Sequence, residues 1–160
     1  MLKEEQIFIS NGNLRIEALL HNVQGKKAAL ICHPHPLMGG SMHNNVVAAA
    51  AQAFAVENHA TLRFNFRGVG ASSGAYDEGK GESQDIIRVA DYLLERGFVE
   101  IIFTGYSFAA WVGAKVISMT DKMFCQVIFI SPPVNHFDFH FSALKNKVNL
   151  ITSYNLLFFS

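Results

Sequence analysis

The sequence predicts an α/β fold: a mostly parallel sheet with helices on both faces, entered through an antiparallel N-terminal hairpin. Three observations carry this. From residue 27 onward, short continuous apolar runs alternate with longer stretches of helical periodicity, the pattern of strands covered on both sides. Turn-rich segments separate the runs from the helical stretches, so strand, loop and helix recur in the order that builds parallel sheets. Before residue 27 the rhythm differs, with two strand-like runs joined by Asn11-Gly12-Asn13, a tight-hairpin signal. At 160 residues, 50% of them hydrophobic, the chain suits a single domain, 1–160, with a substantial core.

The hairpin strands are expected at 7–10 and 14–20, and the later strands at 28–32, 61–66, 101–104, 127–130 and 148–152. Helices are expected at 45–58, 82–96 and 108–119. The middle helix is the most clearly written: Ile86, Val89, Ala90, Leu93 and Leu94 share one stripe, and Gly97 stands where the helix should stop. The first, V-V-A-A-A-A-Q-A-F-A-V, is apolar nearly all round and is expected to be heavily buried. In such sheets ligands bind at the carboxyl ends of the strands. The glycine-containing stretches 33–41 and 67–81 both follow strands and so fall on that edge, together with Ser107.

Thirteen basic and thirteen acidic residues cancel, with no Lys/Arg block, so neither nucleic acid nor an anionic membrane is an expected partner. The opening M-L-K-E-E-Q lacks the apolar core of a signal peptide and no apolar stretch reaches transmembrane length, so a cytoplasmic location is expected. Cys32 and Cys125 fall in runs expected to be buried, as reduced thiols rather than a disulfide framework. No cofactor is called for. His33-x-His35 has no third ligand at short spacing, so no metal site is expected.

The chemistry concentrates at I-I-F-T-G-Y-S-F-A, residues 101–109, where an apolar run breaks at Gly105, presents Ser107 and continues as a helix. That is the layout of a nucleophile elbow, in which a sharp strand-to-helix turn lifts a hydroxyl above the sheet edge. One oxyanion donor would be the Phe108 amide. The second is expected from the 32–40 loop, where Pro34 and Pro36 have no N–H, leaving His35, Leu37 or a later residue. The stretch 64–74 imitates a dinucleotide fingerprint but fails it, because the third glycine would fall at Ser73 and no helix follows at once. Arg67, with Gly68 and Gly70, is better explained as structural, the arginine held by a buried ion pair with Asp85 or Glu82. His136 and His140 flank Asp138 in the loop after 127–130, the only suitably placed His and Asp residues beyond Ser107.

C-H-P-H-P-L-M-G-G-S-M at 32–42, F-N-F-R-G-V-G-A-S-S-G at 64–74, G-Y-S-F-A-A at 105–110 and S-P-P-V at 131–134 together resemble the α/β-hydrolase superfamily, within it a group of short bacterial cytoplasmic hydrolases. The likeness covers about residues 28–141. It implies a serine hydrolase acting on a small ester, thioester or related acyl substrate. Ser107 would be the nucleophile, Phe108 and the 35–37 segment the oxyanion hole, and 67–81 a wall of the cleft. In the family a further strand ends in a Gly-Asp-x-Asp-like turn carrying the acid, and another precedes the loop of the catalytic histidine. Here the strand 148–152 runs into S-Y-N-L-L-F-F-S, with no Asp after 138 and no His after 140. The resemblance therefore implies a chain truncated before the last βα unit, with impaired activity.

Two rivals stand beside that expectation. In one, His136 or His140 acts as base, with Asp138 orienting it, in a rebuilt relay. In the other, the chain is a non-catalytic binding or interaction protein that keeps the pocket. The apolar L-L-F-F beside an open sheet edge adds the expectation of a homodimer through that edge.

Overall fold

The computed structural model describes residues 1–120, 123–139, 144 and 148–152. β1 (Glu5–Asn11) and β2 (Leu14–His21) form the antiparallel hairpin, closed by Asn11 opposite Leu14 with Gly12 at φ 60°. Then follow β3 (Lys27–Cys32), α1 (Asn45–Val56), β4 (Ala60–Phe64), α2 (Lys80–Glu95), β5 (Glu100–Tyr106), α3 (Phe108–Met119), β6 (Gln126–Ile130) and β7 (Val148–Ile151). The sheet order is β1-β2-β4-β3-β5-β6-β7. β2 runs antiparallel to β4, and every later pairing is parallel. Because the chain passes from β4 across β3 to β5, the winding reverses beside β3. The carboxyl ends of β3 and β5 therefore flank the crevice where open α/β sheets bind ligands.

β3 shows why its run is continuously apolar. Ala28, Leu30 and Cys32 enter the large core beneath α2 and α3, while Ala29 and Ile31 face Val47 and Ala51 of α1. The large core holds Phe64, Phe66, Phe103, Phe108 and Phe129 fully buried, each worth roughly 1.5–3 kcal/mol of transfer free energy. On α2 the expected stripe is buried at Ile86, Val89, Ala90 and Leu93, and Leu94 stays 40% exposed. This helix starts at Lys80, two residues before the expected position, because Glu82 accepts hydrogen bonds from the Asp77 and Gly79 amides at 2.9 and 2.8 Å.

Two expectations are corrected. α1 is not heavily buried: Val47 and Ala51 are its buried residues, and Val56 is 73% exposed. Its apolar residues are mostly alanines, which lose little by facing water, and the β3 strip formed by Ala29 and Ile31 accepts one narrow stripe. The deep helix is α3, with Phe108, Ala109, Ala110, Val112, Gly113, Ala114, Val116 and Ile117 all buried. Cys125 is exposed, placed one residue before β6, with its thiol on the Ile101 carbonyl at 3.3 Å. Cys32 is buried as expected, and burial together with the Asp85 charge pushes its thiol pKa well up. No helix among the described residues is long and apolar enough to cross a membrane.

Candidate active site

Ser107 sits between β5 and α3 at φ 53° and ψ −116°, a strained conformation for a residue with a side chain. Its amide donates to the Ile130 carbonyl of β6 and its carbonyl accepts from the Ala110 amide, both at 2.9 Å, so the turn is clamped from two sides. Gly105 makes the approach feasible. A Cβ there would lie 2.7 Å from the Ala109 carbonyl oxygen and 2.8 Å from the Ala110 nitrogen. The Ser107 side chain makes no capping bond, and the Phe108 amide begins α3 without an intrahelical acceptor.

The loop after β3 is organised by its histidines. His33 is fully buried; its Nδ1 donates to the Pro34 carbonyl at 2.7 Å and its Nε2 accepts from the Phe66 amide at 3.1 Å. Both nitrogens are committed, so the ring ties the β3 loop to the β4 loop and is not free to hold a metal. Burial pulls its pKa down to about 4, against the opposing bond to Pro34. His35 caps a 3-10 turn, Pro36–Met38: its Nδ1 accepts from the Leu37 amide at 3.2 Å, and its carbonyl accepts from Met38 and Gly40 at 3.1 Å each. Leu37, expected beside His35 as an oxyanion donor, is thereby removed from that role, since the turn consumes its amide. The His35 amide has no acceptor among the described residues. The His35 ring packs on the Phe108 ring with centroids 4.7 Å apart, so the loop after β3 touches the first residue of α3.

The 67–81 segment forms a fixed wall. Of the two expected partners, Asp85 holds Arg67: Nη2 to Oδ1 is 2.8 Å, Nε to Oδ2 3.1 Å, and the Arg67 amide adds a bond to Oδ2 at 3.1 Å. The hydrogen bond to Asp85 raises the arginine's pKa still further. Gly68 and Gly70 turn at φ 79° and 54°, and a Cβ on Gly70 would fall on the Asn65 amide group and 2.7 Å from Glu17 Oε2. Glu17 is the wall's anchor, accepting from Gln6, Asn65 and the Ala71 amide at 2.7, 2.8 and 2.7 Å. Burial pushes its pKa up, but these bonds outweigh it and hold the carboxyl below its usual range.

No family model matches the chain. It is 36% identical over 145 residues to an uncharacterized protein of Rickettsia prowazekii, covering 86% of this chain and 60% of that protein's length. A solved structure of an alpha-beta serine hydrolase homologue from Coxiella burnetii aligns at a TM-score of 0.81 and 34% identity, over 92% of this chain and 73% of that one. The chain belongs to the α/β-hydrolase family. A Xanthomonas campestris α/β serine hydrolase without a lid shares the fold at a TM-score of 0.81 and 24% identity, over 95% of this chain and 84% of that one.

Among the described residues of the loop after β6, His136 and Asp138 do not form a relay to Ser107. Phe137 turns inward, stacked on Trp111 with centroids 4.4 Å apart and 6.2 Å from Phe108. Its neighbours His136 and Asp138 are exposed, and their side chains bond neither each other nor Ser107 among the described residues. His140 lies outside the described residues. Sequence reasoning missed Glu17, Asn65, Tyr76, Trp111 and Phe137. Trp111 carried a usable signal, one helical turn beyond the serine on the same face; the Glu17 and Asn65 partnership, 48 residues apart, carried none.

Proposed function

We propose that this hydrolase chain acts through Ser107 on a small ester, thioester or related acyl substrate. The serine oxygen bonds to the acyl carbon as its proton passes to solvent water, and the carbonyl π pair moves onto oxygen, where the Phe108 and His35 amides would hold it. The adduct collapses to the acyl-serine as the C–O or C–S bond breaks and the alcohol or thiol leaves with a proton from water. The observation that carries this is the strained Ser107 at the head of α3, its hydroxyl unbonded among the described residues, with the His35 ring packed on Phe108 next to it. Each such donor is worth roughly 10²–10³-fold in rate. Among the described residues no imidazole meets Ser107, and without a base a hydrolase site retains only about 10³–10⁴-fold over water. Acylation is therefore expected to be slow.

A fluorophosphonate probe applied to the whole chain tests this: labelling is expected, and Ser107→Ala should abolish it. A folded sample that stays unlabelled refutes the proposal. The lack of an imidazole at Ser107 among the described residues would then favour a binding protein that keeps the pocket, recognised by acyl-ligand stabilisation in thermal melts without turnover.

A further inference from the structure

We infer that Tyr76 is a hydrogen-bond donor to the ligand of this site and that it selects an aromatic ester; the inference rests on reading Ser107 as an acyl site. The Leu37 amide donates to Nδ1 of His35 at 3.2 Å, so that nitrogen carries no hydrogen and the neutral ring keeps its proton on Nε2. Nε2 lies 3.3 Å from the Tyr76 hydroxyl, so the imidazole donates and the phenol oxygen accepts. The Tyr76 hydrogen is left over. Its hydroxyl has no other partner among the described residues, and burial, reinforced by the charges of Glu82 and Glu78, raises its pKa so that it stays protonated.

The donor is held in place beside the elbow. The Tyr76 ring centroid is 5.1 Å from His35 and 6.0 Å from Phe108, the residue after the serine. Immediately after it, the Asp77 and Gly79 amides are fastened to Glu82. Around it the aromatic surface continues through Phe108 to Trp111 at 5.7 Å and on to Phe137. Tyr76, His35, Trp111 and Phe137 are only partly buried, so flat ring surface borders the crevice. Of the basic groups near the cluster, Arg67 is neutralised by Asp85, and Lys115 keeps its charge over the Trp111 ring, 3.8 Å from its centroid. Aromatic faces with one neutral donor match an aromatic ring bearing an oxygen acceptor.

Trp111 is the chain's one tryptophan, so its fluorescence reports occupancy of this cluster. The whole chain carrying Ser107→Ala is titrated with methyl benzoate, which has the acceptor, and with ethylbenzene, which has the ring alone. Both should give saturable changes. Adding Tyr76→Phe should weaken methyl benzoate about tenfold and leave ethylbenzene unchanged. Equal weakening of the two ligands reduces Tyr76 to packing and overturns the inference, as does an unchanged methyl benzoate titration or the lack of any saturable response. Failure of the Ser107 reading is seen separately, as an unlabelled native chain in the fluorophosphonate assay, and leaves these titrations interpretable.

Discussion

Replacing His33 with Gln should flatten the dependence of stability on pH between about pH 5 and 7. In the folded chain this imidazole is buried and neutral, with its pKa at about 4 against 6.5 when unperturbed. Below 6.5 the unfolded chain takes up a proton that the folded chain refuses, so stability is full above 6.5 and falls as pH drops towards 4. At about 1.4 kcal/mol per pH unit the whole loss is about 3 kcal/mol, of which about 2 kcal/mol falls between pH 7 and pH 5. Gln can accept from the Phe66 amide and donate to the Pro34 carbonyl, so it keeps both bonds without the titration. The measurement is urea unfolding followed by circular dichroism at several pH values, for the native chain and the variant. Parallel profiles would refute the reasoning, because they would mean that His33 is protonated equally easily in both states.

Asp85→Asn leaves the Arg67 guanidinium without its counter-charge in a buried setting, and urea unfolding should show a loss of about 3–5 kcal/mol. Gly105→Ala drives a methyl into the Ala109 carbonyl, so a loss of about 1–3 kcal/mol is expected in the same assay, together with slower fluorophosphonate labelling. Val56→Lys on the open side of α1 should change stability by no more than about 0.5 kcal/mol in thermal melts, whereas Ala51→Lys should abolish the cooperative transition. Glu17 is depressed by its hydrogen bonds, so its stabilisation is complete above 4.5 and fades as pH falls through its lower folded value; Glu17→Gln should remove that acid limb of the unfolding profile.

The parts of this molecule that were legible in the sequence are those set by local pattern. The β3 run reads as two-sided because Ala28, Leu30 and Cys32 alternate with Ala29 and Ile31 between separate cores. Gly105 and Ser107 announce the elbow because only a residue without Cβ tolerates the Ala109 carbonyl at that distance. What was not legible depends on which of several equivalent groups wins a partner. Glu82 and Asp85 lie one turn apart and are both buried, yet one fastens the head of α2 and the other binds Arg67, a choice made by geometry alone. Leu37 and His35 each offer an amide, and only the rotamer of the His35 ring decides which is spent. In α1, hydrophobic composition does not translate into depth, because alanine is indifferent to burial and the strip beneath the helix is narrow.

That narrow strip bears on the site. Thr61 and Thr104 have buried hydroxyls without partners, and both share the sheet face of Ala29 and Ile31, the face that α1 covers. With so little apolar contact above them, the α1 amides should exchange with solvent through openings of lower free energy than those of α3. The His35 loop runs directly into α1, while Phe108 is rooted in α3. On the proposed reading the two amides for one oxyanion would thus stand on units of unequal stability, so a local opening of α1 would loosen the His35 donor while Phe108 stays in place.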